Sequence, residues 1–187
     1  NYAEWTITQF AAAKAGLVLV SINPAYRLSE VDHALNKAGC KALVTASAFK
    51  TSDYLGMLRE LAPELATAEP GSLNAERLPQ LRLVIQFSGG TEPGMFRFDD
   101  VIVEGRKGAN SRLPQVADTL PADAPATILF TSGTTGLPKG ATLSHHNILN
   151  NARITGLGMG ITAKDRVCIP VPLYHTFGMV IGNLISV

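Results

Sequence analysis

Mostly apolar runs of strand length alternate with helical patterns in the first half of the chain, and this alternation constrains the fold most. The runs are Leu17–Ile22, Lys41–Thr45 and Arg82–Phe87. Apolar residues recur at helical spacing before the first run and in the two intervals between the runs. A β-α-β-α-β order is typical of an α/β fold with a mainly parallel sheet and flanking helices.

Turn and cap residues predict where these elements end. Ser29 is expected to cap the helix after the first strand, with Asp32 where a capping box usually has Glu or Gln. Gly39 stands where a helix often ends on glycine. Thr51 is expected to cap the following helix. Stretches 63–80 and 88–125, rich in proline and glycine, are predicted to be loops with one short helix near Phe98–Val103.

Composition excludes several classes of protein. The chain has 187 residues, of which 46% are hydrophobic and 17% charged, so it can bury a core and is not a disordered tail. Its net charge of +1 argues against a basic nucleic-acid-binding surface. The two cysteines, Cys40 and Cys168, form no CxxC motif and predict reduced thiols in a cytoplasmic protein rather than a disulfide framework or zinc site.

The ends of the sequence favour a piece of a longer protein. The chain starts at Asn1 without a methionine and stops inside the apolar run Phe177–Val187. That run, the longest nearly apolar stretch, has 11 residues and is too short to cross a bilayer. We expect it to expose apolar surface and to favour self-association.

A loop rich in glycine and hydroxyl groups follows the predicted strand Ala126–Thr131. The run reads Thr131-Ser132-Gly133-Thr134-Thr135-Gly136-Leu137-Pro138-Lys139-Gly140. Glycines let backbone N–H groups approach an anion, hydroxyls donate to phosphate oxygens, and lysine adds positive charge. Because α/β sheets bind ligands at the carboxyl ends of their strands, the pattern predicts a polyphosphate site.

Two further features, the spacing of the motif and the distribution of charge, narrow the kinds of ligand that the loop could bind. The loop is neither a Walker A motif, since two residues separate Gly136 from Lys139, nor a GxGxxG or GxSxG motif. Residues 124–187 contain one acid, Asp165, and carry a net charge of +3, whereas residues 1–123 carry −2. A segment almost free of carboxylates does not repel an anionic ligand.

The loop resembles the signature phosphate loop of the acyl-adenylate-forming enzymes, which include acyl-CoA synthetases, luciferases and nonribosomal peptide adenylation domains. Lys14–Pro24, together with Glu30 downstream, and Pro172–Gly178 resemble two other segments of that family. The stretch Gly140–Asn151 is most similar to the medium-chain fatty acyl-CoA synthetase branch.

This resemblance implies a ligase that uses ATP, Mg²⁺ and coenzyme A to convert a carboxylic acid, expected to be a fatty acid, into a thioester. It implies catalytic roles for Thr131, Lys139 and His175. His175 could instead be a satisfied core histidine. The implied phosphate-binding residues are Thr131, Ser132, Gly133, Thr134, Thr135, Gly136 and Lys139, and the implied substrate pocket contains Tyr174, His175, Phe177 and Gly178.

The resemblance also implies what lies outside the chain. Residues 1–187 match the front half of the large N-terminal domain, with a βαβ-type region 1–125 and a region 126–187 for the loop and pocket segment. The family's magnesium-binding glutamate, its ribose-binding aspartate and the lysine of its C-terminal domain are not found here. Two alternatives stay open, an adenylation domain that loads a carrier-protein thiol and a non-catalytic nucleotide-binding relic.

Other candidates favour structural roles. Adjacent residues His145 and His146 point roughly 100° apart on a helix, a poor arrangement for one metal ion, and no metal-binding residue is predicted. Ser144 is expected to cap that helix, which would run to about Thr155. Cys168 is expected to lie in a short buried strand and Asp165 at the start of that strand, on the surface.

Overall fold

A computed structural model of the chain describes residues 1–108, 112–131 and 137–187. These residues form two compact units. The first unit contains residues 1–23, 112–131 and 139–187, and the second contains residues 24–108 and 137–138.

The described residues form six α-helices and eight strands. The helices are α1 (Ala3–Lys14), α2 (Leu28–Ala38), α3 (Tyr54–Leu61), α4 (Phe98–Lys107), α5 (Arg112–Thr119) and α6 (His145–Gly158). The strands are β1 (Leu19–Ser21), β2 (Ala42–Thr45), β3 (Ala48–Phe49), β4 (Ser52–Asp53), β5 (Leu83–Gln86), β6 (Phe96–Arg97), β7 (Pro125–Thr131) and β8 (Lys139–Ser144). Shorter helical segments are the 3-10 turns Pro63–Ala66 and Leu184–Ser186 and the π-type helix Phe177–Asn183.

The first unit is built on a sheet of order β1-β7-β8. β1 runs parallel to β7, and the Thr127 hydroxyl donates to the Leu19 carbonyl at 2.8 Å. β8 returns antiparallel to β7. Helix α6 and the C-terminal segment cover the sheet through a buried cluster, against which Trp5 of α1 also packs. Its buried members are Ala126, Leu129, Ile148, Ala152, Met179 and Val180.

The second unit contains a parallel sheet of order β2-β5-β6. Helix α3 buries Leu55, Leu58 and Leu61, one helical face, as its 3.6-residue period requires. Strands β3 and β4 form a small antiparallel hairpin. Three of the five strand pairs in the chain's described part are parallel, so the predicted α/β class with a mainly parallel sheet is confirmed.

Two helix starts differ from the prediction because carboxylates supply the caps. Helix α2 begins before Ser29, since the Glu30 carboxylate accepts from the Arg27 N–H at 2.7 Å and holds the first turn. Helix α3 begins at Tyr54, where Asp53 Oδ1 accepts from the Gly56 N–H at 2.9 Å. Thr51 lies instead in the turn between β3 and β4. The predicted end of α2 is confirmed, with Gly39 at φ +64°.

The stretch 88–125 contains more helix than predicted. Helix α4 continues to Lys107, past the expected end at Val103. Helix α5 was expected to be a loop because of Pro114, but that proline occupies the third position of the helix. A proline there breaks no hydrogen bond, because the first N–H groups of a helix have no partner within it.

Some apolar stretches are less buried than predicted. The expected strand Leu17–Ile22 shortens to β1, and Leu17 is 60% exposed. Cys168 is exposed and no strand is described around it, so the prediction of a buried strand is wrong. Asp165 lies in a turn rather than at a strand start, although it is exposed as expected.

The C-terminal segment exposes only part of its apolar surface. Met179 and Val180 are buried in the cluster of the first unit, whereas Phe177 and Val187 are 53% and 92% exposed. Self-association through this segment stays a prediction. Within the described ranges, no helix combines the length and apolar character needed to span a membrane.

We expect the two cysteines to differ strongly in reactivity. Burial raises the pKa of Cys40 to about 11, whereas Cys168 is exposed. The thiolate is the reactive form, so at pH 8 only about one Cys40 in a thousand is reactive, and its labelling rate rises tenfold per pH unit up to about pH 11. Iodoacetamide labelling followed by mass spectrometry should therefore modify Cys168 first. In the Cys168→Ser control only the slow site should remain, and equal rates at pH 8 would contradict this assignment.

Candidate functional site

The predicted phosphate loop joins two antiparallel neighbours of the first unit's sheet. β7 ends at Thr131, and β8 begins at the residue opposite, Lys139. The Thr131 hydroxyl donates to the Lys139 carbonyl at 3.3 Å, and both side chains are exposed. We call these two residues the loop base. The predicted phosphate-binding residues Ser132–Gly136 lie outside the described residues.

Strand β8 begins directly after the loop, and sequence reasoning missed it. Gly140 lies opposite Phe130 in the ladder. A Cβ at this glycine would lie 3.0 Å from Cγ2 of Ile128, tighter than ordinary packing. Gly140 therefore belongs to the strand, where its small size permits close contact with β7.

Helix α6 follows β8 without a connecting loop. The Ser144 hydroxyl accepts from the Asn147 N–H at 3.2 Å, and Asn147 Oδ1 accepts from the Ser144 N–H at 3.0 Å. This capping box confirms the predicted cap, although α6 continues beyond Thr155 to Gly158.

The single acidic residue of residues 124–187, Asp165, forms hydrogen bonds within its own turn. Asp165 Oδ2 accepts from the backbone N–H of Thr162 at 2.7 Å and from its hydroxyl at 2.8 Å. These hydrogen bonds favour the charged form and lower the pKa of Asp165. Asp165 is therefore a structural carboxylate that holds its own turn through Oδ2.

The adjacent histidines have different surroundings. His146 Nδ1 lies 3.8 Å from Asp123 Oδ1, whereas His145 Nε2 is buried and has no hydrogen-bond partner among the described residues. His145 helps to line an apolar cavity of about 150 Å³ in the first unit, together with Phe10, Ile148 and Met179. Over the ranges that the structure describes, no three His, Cys, Asp or Glu side chains are grouped so as to hold a metal ion.

Of the four predicted pocket residues, Tyr174 and His175 lie in the turn after Pro172, and Phe177 and Gly178 begin the π-type helix. His175 is exposed in the described part of the chain, and its role in the pocket and the alternative of a core histidine both stay predictions. Its Nδ1 accepts from the Phe177 N–H at 3.2 Å. A ring nitrogen that accepts carries no proton, so Nε2 is the protonated nitrogen of the neutral ring and is a donor. Tyr174 is half-buried, Phe177 exposed and Gly178 buried.

Backbone contacts fix the shape of this turn. A Cβ at Gly178 would collide with the Pro172 carbonyl oxygen, so only glycine permits this close approach. The Asn1 side chain donates to the carbonyls of Ile169 and Val171 at 3.1 and 2.9 Å, and its Oδ1 accepts from the Leu173 N–H at 2.9 Å. One amide group thereby holds the extended chain that leads into the pocket segment.

A buried amide pair ties α1 to the helix that follows the pocket segment. Asn183 Nδ2 donates to Gln9 Oε1 and to Thr6 Oγ1, both at 3.0 Å, and Gln9 Nε2 donates to the Met179 carbonyl at 3.4 Å. Gln9 and Asn183 are 6% and 7% exposed. Sequence reasoning missed this pair. The available signal was a single amide residue in each of two apolar faces. A buried amide requires hydrogen-bond partners, so two such residues could have been expected to pair.

The whole chain, residues 1–187, matches the family described as AMP-binding enzyme. The chain belongs to this family. The predicted resemblance to acyl-adenylate-forming enzymes is therefore confirmed.

Two curated relatives of the chain are acyl-CoA ligases or synthetases by name. Over 187 residues it is 48% identical to the mitochondrial medium-chain acyl-CoA ligase ACSF2 of Danio rerio, with 99% of this chain and 31% of that protein covered. It is 38% identical over 187 residues to the putative acyl-CoA synthetase YngI of Bacillus subtilis, with 100% of this chain and 34% of that protein covered. The chain thus spans about a third of the length of these relatives.

A solved structure shares the fold. The anthranilate CoA ligase AuaEII, in complex with anthranoyl-AMP, superposes with a TM-score of 0.79 at 20% identity, and the match covers 100% of this chain and 32% of that one. At this identity the likeness establishes the fold alone. The predicted fold, that of the N-terminal domain of adenylate-forming ligases, is confirmed.

Proposed function

We propose that the chain serves an ATP-dependent carboxylate–CoA ligase that acts on a fatty acid, and that residues 1–187 form the front half of its N-terminal domain, with regions 1–125 and 126–187. The observation that carries the proposal is the hydrogen bond between the two residues of the loop base, Thr131 and Lys139. These residues flank a sequence suited to polyphosphate, in a chain of the AMP-binding family. The names of the relatives support a medium-chain acyl substrate.

In the proposed first step, a carboxylate oxygen attacks the α-phosphorus of ATP. The bond from that phosphorus to the bridging oxygen breaks, and pyrophosphate leaves with the electron pair. Negative charge grows on the leaving group, so donors placed there in advance lower the barrier. Lys139 supplies an ammonium group for this charge, and Thr131 fixes the backbone from which that lysine extends.

In the proposed second step, the thiol of coenzyme A loses its proton to solvent and attacks the acyl carbonyl carbon, and AMP leaves with the electron pair of the broken carbon–oxygen bond. His175 keeps Nε2–H available as a donor, because Nδ1 is occupied by the Phe177 N–H. Before the first step, that donor would orient the substrate carboxylate. The rings of Tyr174 and Phe177 would face the acyl chain, and Gly178 keeps the turn compact.

ATP and coenzyme A are substrates in this scheme, whereas the residues around the loop, 124–131 and 137–187, offer Mg²⁺ a single carboxylate, Asp165. Mg²⁺ prefers carboxylate oxygens beside phosphates. The one acid of residues 124–187 already accepts two hydrogen bonds from Thr162. We therefore assign no Mg²⁺ ligand within this part of the chain.

The compartment and the assembly state are also proposals. Two free thiols favour a reducing compartment such as the cytoplasm. The name of the Danio rerio relative places that protein in mitochondria. The exposed Phe177 and Val187 favour self-association of the isolated chain.

The proposal is tested on the intact protein encoded by the reading frame that contains these residues. We expect ATP–pyrophosphate exchange that depends on a medium-chain fatty acid, followed by thioester formation with coenzyme A. Transfer only to a carrier-protein thiol would identify an adenylation domain instead. No exchange with any acid of a C4–C18 panel, by protein shown to be folded, would contradict a ligase and favour a non-catalytic relic.

A further inference from the structure

Helix α2 contacts the downstream end of the phosphate loop through one side chain. His33 Nε2 lies 3.2 Å from the carbonyl oxygen of Pro138, the residue immediately before Lys139. A carbonyl oxygen only accepts, so Nε2 carries the hydrogen and donates. Neutral imidazole with its proton on Nε2 and imidazolium both satisfy this requirement, so the bond does not depend on the charge of the ring.

The hydrogen bond uses the one polar group that Pro138 has. Proline lacks a backbone N–H, so its carbonyl is its only means of forming a hydrogen bond. The proline ring also fixes φ at its own position and restricts Leu137 to extended conformations. The chain leading to Lys139 is therefore stiff. A single additional restraint at the Pro138 carbonyl then sets the direction in which the chain enters Lys139.

The restraint passes to Lys139 through the peptide plane. The group joining Pro138 to Lys139 is planar and trans, so its C=O and N–H point in opposite directions. Fixing the Pro138 oxygen against His33 therefore fixes the direction of the Lys139 N–H. The next group along the chain, the Lys139 carbonyl, accepts from the Thr131 hydroxyl. Successive peptide groups on both sides of Lys139 are thereby held.

The helix that carries His33 is itself well anchored. Glu30 holds its first turn, Gly39 ends it in the left-handed conformation, and the Cys40 N–H donates to the Leu35 carbonyl at 2.9 Å. Ala34 and Leu35 are 0% and 3% exposed, so the helix cannot shift without disturbing the core. His33 is half-buried, which limits its rotamers.

We propose that His33 is a positioning residue for ATP, which orients Lys139 by anchoring the Pro138 carbonyl. This inference rests on the proposed function and adds to it a residue that lies 105 positions before the loop. His33 does not touch substrate in this scheme. Its effect is exerted on the affinity for ATP and on the adenylation step, in which pyrophosphate leaves.

The test uses three variants of the intact protein. His33→Phe keeps a flat ring but removes the donor, whereas His33→Gln places an amide N–H close to the position of Nε2. Asn36→Ala is the matched control, because Asn36 lies on the same helix and bonds to Asp32 and to the Arg77 carbonyl instead of Pro138.

We expect His33→Phe to lower kcat/KM for ATP in the adenylation half-reaction by about threefold to tenfold, the effect of one lost hydrogen bond. KM for the fatty acid and the rate of thioester formation from preformed acyl-adenylate should not change. His33→Gln should recover most of the loss, and Asn36→Ala should match the wild type. Wild-type kinetics in His33→Phe, or equal losses in both half-reactions without recovery by Gln, would overturn the proposal.

A second measurement separates this inference from the proposed function. Hydrogen exchange of the protein without ligand, followed in peptides that contain Lys139 and Gly140, should be faster in His33→Phe and unchanged in His33→Gln and Asn36→Ala. Unchanged exchange in His33→Phe would refute the anchoring role even if the enzyme is active. Faster exchange in His33→Phe, combined with a wild-type protein that makes no acyl-adenylate, would keep the anchoring role and reject the ligase.

Discussion

Lys139→Ala is expected to slow acyl-adenylate formation by about 100-fold or more, with a much smaller effect on thioester formation from preformed acyl-adenylate. The ammonium group of Lys139 is proposed to stabilise charge on departing pyrophosphate, and pyrophosphate is present only in the first half-reaction. Thr134→Ala, within the same loop, should show the same asymmetry. The two half-reactions are measured separately in the intact protein, by pyrophosphate release and by thioester formation.

Lys164→Ala is the matched control for the lysine variant. It removes an identical charge from an exposed residue in the same unit, in the turn that Asp165 caps. Its kinetics should match those of the wild type, which would exclude a general effect of net charge. Equal losses in both half-reactions of Lys139→Ala would point to a structural role for the loop base.

The 187-residue chain by itself is expected to form no acyl-adenylate. It spans about a third of the length of its relatives, and the resemblance places the magnesium glutamate, the ribose aspartate and the C-terminal lysine outside it. Its own acid in residues 124–187 is engaged by Thr162.

ATP–pyrophosphate exchange with a fatty-acid panel tests this expectation. The intact protein assayed in parallel is the positive control, and boiled chain sets the background. A circular dichroism spectrum of the chain establishes that it is folded. Exchange clearly above the boiled background would show that the missing segments are not required.

The main alternation of helices and strands up to β5 was predictable because local patterns determine it. Apolar runs gave the positions of β2 and β5 closely, and Gly39 and Ser144 gave the correct ends of two helices. Near α2 and α3 several residues in a row could serve as caps, and the path of the chain selected Glu30 and Asp53. The path of the chain cannot be derived from the spacing of residues in the sequence.

Strand β8 and the anchoring histidine depend on contacts between distant residues. The segment Lys139–Ser144 contains glycine and two hydroxyl residues, and it is a strand because β7 pairs with it. His33 meets Pro138 across 105 positions of sequence. The loop's chemistry was evident from its composition, whereas the groups that hold its ends were visible only in three dimensions.

Because β7 and β8 pair with each other, the number of residues in the loop between them decides which face of the sheet each β8 side chain occupies. Side chains alternate between the two faces of a strand, so the loss of one residue between Thr131 and Lys139 would exchange the faces of everything that follows in β8. Leu143 would leave the core cluster and Ser144 would take its place opposite Thr127. Substitutions within the loop leave this alternation intact, whereas single insertions and deletions do not. The chemistry of this loop can therefore change residue by residue, while its length is determined by the pairing of β7 with β8.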